Sequence, residues 1–461
     1  MTQQPASEAG AAIGIGAMLV LIVTGLARAF GAPASLYLVT TVAAVALIVA
    51  GYGRINEKLR NTSFLLFGAG LLALPFAKDP LAAISRGVSV AGLLLALTAS
   101  VMLIAHCAMQ SDRIHVIGAG LRERKGRGRY LAFTLASQFF SGILGLAGAN
   151  LMFIMAAPVT EDKSPERTET VVAAARGFAA ASCWSPVFGN MAILLALYPS
   201  LHWIEVFPVG FLLAQLTILV GALMYGAGGQ APDPAAPRPI SVSALTAAAL
   251  PLLLSLLGFL VLILSVSKGL HIVASAAIVL LAPAVSLSFH AATGEPGQRL
   301  ADALRGLAQG IRRFPAMASE AMLFLAAGCA GSILADAFPG SWVSAIGAAL
   351  GHHPFWGLSF LLFGIMAAAL AGLHPVLSGV FLASTMTPQV LGLPPITHMA
   401  AILAGWGLSG SITPFSVLSL TASRYSGVDL YQISLGKNWA FALCNGLLIC
   451  ALLAAYVLVV A

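Results

Sequence analysis

The stretch "AGLHPVLSG", residues 371–379, interrupts a segment that is otherwise almost wholly apolar. "PFWGLSFLLFGIMAAAL" precedes it and "VFLASTM" follows it. A histidine, a proline, a serine and two glycines stand where a lipid-facing helix would carry Leu and Val. A crossing takes about 20 apolar residues, so the run 354–387 is too long for one helix, and it is broken near its middle. It predicts a re-entrant hairpin that enters and leaves on the same side of a membrane. Residues 131–158 form a second such run, interrupted at "SGILGLAGAN" (141–150).

Composition supplies the membrane. Of the 461 residues, 59% are hydrophobic and 8% charged, against about 25% charged in a soluble domain; the mean hydropathy is +0.95. Further spans are predicted near 11–27, 35–52, 62–77, 88–108, 170–199, 206–226, 241–266, 272–290, 318–337, 395–422 and 438–460, giving an all-α polytopic protein of about 11 crossings plus two hairpins. "MTQQPASEAG" has no basic n-region, which reads as a retained first helix rather than a signal peptide. The net charge of +7 becomes topological once located. Of the 23 Lys and Arg residues, only Arg28, Lys78, Arg86 and Lys268 fall outside when the N-terminus is cytoplasmic. Arg176 lies within a span and the rest collect inside. This is a positive-inside pattern, and counting either hairpin as a full crossing would invert every later loop. The run "RERKGRGR" is therefore a topology anchor that can also touch anionic lipid heads, and nucleic acid is excluded as a partner. An integral protein of the bacterial inner membrane is expected. The five cysteines sit in apolar runs without metal-ligand spacing, as small packed thiols.

Two halves repeat one order of elements. Spans 35–52, 62–77 and 88–108 lead through a connector to the hairpin 131–158, the interrupted span 170–199 and the closing span 206–226. Spans 241–266, 272–290 and 318–337 lead likewise to 354–387, 395–422 and 438–460. The first hairpin opens inward and the second outward, so residues 35–226 and 241–461 form an inverted-topology repeat. Residues 1–34 add an N-terminal helix, and 227–240, within "GAGGQAPDPAAPRPI", has linker composition. The connectors "VIGAGLRERKGRGRYLAF" and "SWVSAIGAALGHH" are expected as amphipathic interfacial helices. Interrupted segments at matching places in two halves point to a midplane binding site.

The interruptions read "SGILGLAGAN", "SCWSPVFGN" (182–190), "AGLHPVLSG" and "GLSGSITPFS" (407–416). Non-helical backbone at membrane depth persists only when buried or lining a cavity. A broken helix offers carbonyls to a cation at its C-terminal end and N–H groups to an anion at an N-terminal end. Asn150, Ser185, Asn190, His374, Ser378 and Thr413 are the candidate substrate contacts. Gly148, Ala149, Asn150, Ser182, Ser409 and Ser411 are the candidate cation ligands. None of the four interruptions carries Asp or Glu, so Na+ rather than a proton is the expected coupling ion, with no transition metal and no other cofactor. A neutral polar lining suits a carboxylate or another oxyanion. Arg176 is expected to snorkel to the cytoplasmic interface, and Glu320 and Asp336 to be solvated at the ends of their span.

This layout resembles the ion transporter superfamily, within it the divalent anion–sodium symporters that carry dicarboxylates and citrate. The resemblance covers nearly the whole chain, through its eleven spans, two opposed hairpins and two broken spans. That family carries Ser-Asn-Thr at both hairpin tips; "AGAN" matches only at Asn150, and "LHPVLSG" does not match. The resemblance implies a homodimer whose mobile unit moves as an elevator against a fixed scaffold. The reading is a secondary active transporter of a small organic anion. The alternative is the large membrane subunit of a binding-protein-dependent carrier of the same superfamily, with a periplasmic partner. An enzyme is not expected: Ser185 and His374 lie on different repeats with no acid beside them.

Overall fold

The computed structural model describes residues 8–110, 112–156, 165–225 and 242–460; the linker at 227–240 lies outside them. The described chain is all-helical. It opens with α1 (Glu8–Ala29), α2 (Tyr37–Gly51), α3 (Glu57–Ala73) and α4 (Pro80–Ala108), then α5 (Asp112–Arg122). The first hairpin is α6 (Gly126–Leu144) and α7 (Leu146–Ala156), followed by α8 (Pro165–Ala181), α9 (Gly189–Leu197) and α10 (Trp203–Met224). The second half begins with α11 (Val242–Leu270), α12 (Ala274–Thr293), α13 (Arg299–Ile311) and α14 (Ala318–Ala337). The connector α15 (Gly340–Leu350) leads to the second hairpin, α16 (Pro354–Leu370) and α17 (Pro375–Thr385). A single turn, α18 (Pro388–Leu391), precedes α19 (Pro395–Ile412), α20 (Val417–Ser426) and α21 (Lys437–Val460). Among the described residues, nine helical runs are long and apolar enough to cross a bilayer. Their exposed faces carry side chains such as Val42, Leu72, Leu212 and Leu223, which only lipid or a partner chain would solvate. This is an integral membrane protein.

The helices pack as two groups. In one, α4 and α14 cross at the centre, with α1, α2, α3 and α12 around them. The crossing is reciprocal: a Cβ on Gly87 would lie 2.7 Å from the Gly328 carbonyl oxygen, and one on Gly328 would lie 2.6 Å from that of Gly87. Small residues let backbones meet where lipid tails supply no hydrophobic drive. In the other group, α8 packs on α6 and α7, α19 on α16, and α10 and α21 close the far side. The groups meet where α14 runs along α17 and where α4 meets α9. That seam is apolar, with Leu94, Ala326, Ala327 and Ala330 against Ile193, Val376, Leu377 and Val380.

Helix breaks follow the chemistry of single residues. α6 turns into α7 at Gly145, whose φ of +55° is open to glycine but strained for other residues. α16 ends at Ala371 and Gly372, the latter at φ +89°. Then α17 starts on Pro375, where the fixed ring φ suits a first helical turn. α8 and α19 stop before Pro186 and Pro414, since a proline disfavours helical backbone in the residue before it and lacks the N–H that continues the ladder.

Two of the differences from the sequence reading have a visible cause. α6 starts at Gly126 rather than 131 because the basic run is built into the helix junction. Arg129 Nη2 donates to the Arg122 carbonyl at 2.8 Å and pairs with Glu166, and Arg122 Nη1 donates to the Met155 carbonyl at 2.8 Å. Residues 299–311, outside every predicted span, form the amphipathic helix α13, which lays Gly306 against His290 and Gly310 against Leu103.

Candidate functional site

The two broken helices cross each other. A Cβ on Gly407 would lie 2.6 Å from the Ala179 carbonyl oxygen and would collide with Ser182 Oγ. Ala179 and Gly407 are 228 positions apart, as are Ser185 and Thr413, Pro186 and Pro414, and Gly177 and Gly405. Residues at the same offset in the two halves therefore touch at this crossing. Gly177 lets α8 approach the Thr134 carbonyl and the Gln138 N–H of α6, and Gly405 lets α19 approach the Leu362 carbonyl of α16.

Around the crossing, the same hydrogen bonds occur twice. Ser185 Oγ donates to the Gly142 carbonyl in the last turn of α6 and accepts the Val187 N–H at 3.1 Å. Thr413 Oγ1 donates to the Ala369 carbonyl in the last turn of α16 at 2.7 Å and accepts the Phe415 N–H at 3.3 Å. Each hydroxyl before a proline thus clips a broken helix to a hairpin tip. The freed carbonyls near the two breaks are also matched. Asn190 Nδ2 donates to the Ser182 carbonyl at 3.1 Å, and Ser416 Oγ donates to the Gly410 carbonyl at 2.6 Å.

The expected ligands divide accordingly. Ser182, Ser409 and Ser411 spend their hydroxyl protons on the carbonyls of Ala179, Trp406 and Leu408 at 2.7, 2.7 and 2.8 Å, which leaves oxygen lone pairs as the only side-chain chemistry they offer. Gly148 and Ala149 depart from the expectation. The chain turns three residues earlier, at Gly145, so both lie inside α7, where carbonyls serve the helix ladder. Their smallness matters instead, since Gly148 sits against the Phe140 carbonyl of α6. His374 is the N-cap of α17, with Nδ1 accepting the Val376 N–H at 3.2 Å; only Nε2 is left to donate. Ser378 Oγ reaches the Pro375 carbonyl at 3.4 Å, and no hydrogen bond among the described residues links it to Asn150.

Several buried polar atoms near the first hairpin have no partner among the described residues: both ends of Gln138, Ser141 Oγ, Asn150 Oδ1, Trp184 Nε1 and Asn190 Oδ1. Gln138 and Ser141 are fully buried, and an unmet polar group in such a place costs about 1–3 kcal/mol. The oxygens among them are hard donors of the kind that Na+ or a ligand N–H would satisfy. Among the described residues, no group of three His, Cys, Asp or Glu side chains is placed to hold a metal ion.

Arg176 does not snorkel. It is 7% exposed, and its guanidinium donates to Asn438 Oδ1 at 2.9 Å, the Lys437 carbonyl at 2.7 Å and Tyr130 OH at 3.3 Å. It lies 4.2 Å from the centre of the Phe441 ring. The arginine thus joins α8 to α6 and α21. Asn438 passes the tie on, donating to the carbonyls of Ile433 and Ser411. Tyr225 is tilted against Tyr130 with the ring centres 5.1 Å apart, and its phenol is held above the ordinary range by burial first and by the Glu169 and Glu166 carboxylates next. Asp336 is not simply solvated either: it accepts the Asp79 N–H at 2.7 Å and meets Arg86 at 3.4 Å.

Sequence reasoning missed Gln138, Ser416 and Asn438, and also His398. His398 is fully buried, with its ring nitrogens on the Met386 carbonyl at 2.5 Å and on Tyr198 OH at 2.6 Å. Because a carbonyl only accepts, Nε2 carries the proton and Nδ1 accepts from the phenol. Polar residues inside apolar spans were the available signal.

No protein-family model and no curated protein matches the chain. A solved structure does: the YdaH transporter of Alcanivorax borkumensis, described as having an unusual topology, with a TM-score of 0.54 at 15% identity. The alignment covers 86% of this chain and 98% of that one. The chain is similar to it in fold, as an all-helical polytopic membrane protein.

Proposed function

We propose that the chain is a secondary active transporter of a small organic anion of the carboxylate or dicarboxylate kind, coupled to Na+. The observation that carries this is the doubled clip, Ser185 to Gly142 and Thr413 to Ala369, around a crossing of equivalent residues. Such a site, shared by two inverted halves, is built to be reached from either side of a membrane. The unpartnered oxygens of Gln138, Ser141, Asn150 and Asn190 support a dehydrated cation beside it. Likeness to a solved transporter fold supports the class.

Movement as an elevator agrees with the seam. Gly331 of α14 sits against Val380 of α17, with 3.3 Å to a Cβ placed there, and no hydrogen bond among the described residues joins these helices. Sliding α14 along α17 would break no hydrogen bond among the described residues. In this reading the end carrying the basic run faces the cytoplasm. The test is uptake of labelled succinate, citrate and aromatic carboxylates into proteoliposomes, with and without Na+. Uptake of at least one that needs Na+ and ignores an imposed pH gradient is expected. Full uptake without Na+, driven by the pH gradient, would refute the coupling.

A further inference from the structure

A cavity of about 840 Å3 lies on the seam, at the end of the bundle where α4 begins. No hairpin-tip or helix-break residue lines it, so it is separate from the crossing. Its charged groups are Arg28, Arg86 and Asp336. Arg28 uses one N–H on the Ala32 carbonyl at 3.1 Å, and Arg86 uses one on Asp336 at 3.4 Å. A guanidinium has five N–H donors, so both have donors to give, and two positive charges face one negative. Thr24, Thr40 and Ser89, also in the wall, turn their hydroxyl protons to helix carbonyls. Val90, Leu93 and Leu197 supply an apolar surface. A cavity of this size suits a small molecule, and its few polar groups would set the orientation.

We propose that this cavity binds an amphipathic monoanion, with its oxyanion on Arg28 and Arg86 and its apolar body on Val90, Leu93 and Leu197. A guanidinium matches the fork of a carboxylate or phosphate, and this cavity's wall carries two. Leu197 and Ser384 belong to the hairpin group, while the arginines belong to the other. An occupant therefore bridges the seam and holds the two groups in register. The shared chemistry has two sources, a water-borne carboxylate or an anionic lipid.

The experiment is titration of the full chain, in nanodiscs of neutral phosphatidylcholine, with 4-phenylbutyrate. Saturable binding is expected, weakened about tenfold or more by Arg28→Gln and by Arg86→Gln and unchanged by Arg60→Gln on α3. Ser89→Phe fills the cavity while keeping both arginines, and it should remove binding even if Arg86→Gln fails to fold. Repeating the titration in phosphatidylglycerol nanodiscs separates the sources. A weaker apparent affinity means that lipid holds the site, and an unchanged one means that a water-borne anion does; either supports the proposal. No saturable binding in neutral nanodiscs, or wild-type affinity in the Arg28→Gln and Ser89→Phe proteins, overturns it.

Discussion

Replacing Arg176 separates a staple from a snorkelling side chain. The guanidinium makes three hydrogen bonds, to Asn438, Lys437 and Tyr130, and each bond to a charged group is worth about 1.5–3 kcal/mol. Their sum overstates the effect, because truncation also removes the several kcal/mol spent in burying the charge. Truncation leaves the neutral Asn438 amide, the Lys437 carbonyl and the Tyr130 hydroxyl short of a partner, at about 1–3 kcal/mol for each buried group left unmet, and loss of the Phe441 face adds about 1–2 kcal/mol. Arg176→Ala should therefore lose about 4 kcal/mol of unfolding free energy. Arg176→Lys keeps the charge but has no planar fork to span Asn438 and the Lys437 carbonyl, so it should lose about 2 kcal/mol. Unfolding by SDS in mixed micelles, followed by tryptophan fluorescence, reads both. A snorkelling arginine would leave stability within about 0.5 kcal/mol of wild type, as surface substitutions do, and that result would refute the staple. Unchanged stability with a raised KM for uptake would instead make Arg176 a substrate contact.

Gly177→Ala and Gly405→Ala should each destabilise by about 1–3 kcal/mol through overpacking, measured by the same unfolding assay; a mild effect at either would break the equivalence of the two crossings. Gly145→Ala forces a side chain into left-handed backbone and should cost about 1–2 kcal/mol, with wild-type stability pointing to a turn elsewhere. Asn150→Ala and Asn190→Ala should raise the Na+ concentration for half-maximal uptake about tenfold; if neither changes it, the cation lies away from these oxygens. Tyr198→Phe and His398→Gln should be non-additive in stability, as residues sharing one hydrogen bond are, and simple additivity would deny the coupling.

The breaks were legible because glycine and proline act locally. Pro186, Pro414 and the pair His374-Pro375 stop or start helices through their own backbone limits, and no distant residue is needed to read them. The turn of the first hairpin was misplaced toward "AGAN" because the string 141–150 holds three glycines, Gly142, Gly145 and Gly148. Only the fold shows which one takes positive φ and which ones permit close packing. Arg176 was misread for another reason: its partner Asn438 is 262 residues away. A charge two turns into a span looks the same in sequence whether it reaches for water or for another helix. α13 was hidden by its charges, since Arg299, Arg305 and Arg312 mask the apolar face formed by Ala303, Gly306 and Gly310.

Matched contacts in the two halves do not entail matched chemistry here. The clips at Ser185 and Thr413 repeat, as do the glycine approaches, and these are the parts that hold the crossing together. The unpartnered oxygens do not repeat at matching positions: among the described residues the second half has Ser359 Oγ and Asn445 Oδ1, neither of them 228 positions after Gln138, Ser141, Asn150 or Asn190. α6 carries Ser137, Gln138 and Ser141 in its last two turns, whereas the matching stretch of α16, "FGIMAAAL", carries no polar side chain. Asn190 stands 228 positions before Leu418. A small charged or polar ligand bound at the crossing would then be recognised by the first half and walled by the second. Substitutions at Gln138, Ser141 or Asn190 should shift affinity and ion dependence, while enlarging Ala368 or Ala369 should slow transport with affinity kept. Uptake kinetics that reverse this division would place recognition on the second hairpin, with Ser378 and His374 as its chemistry.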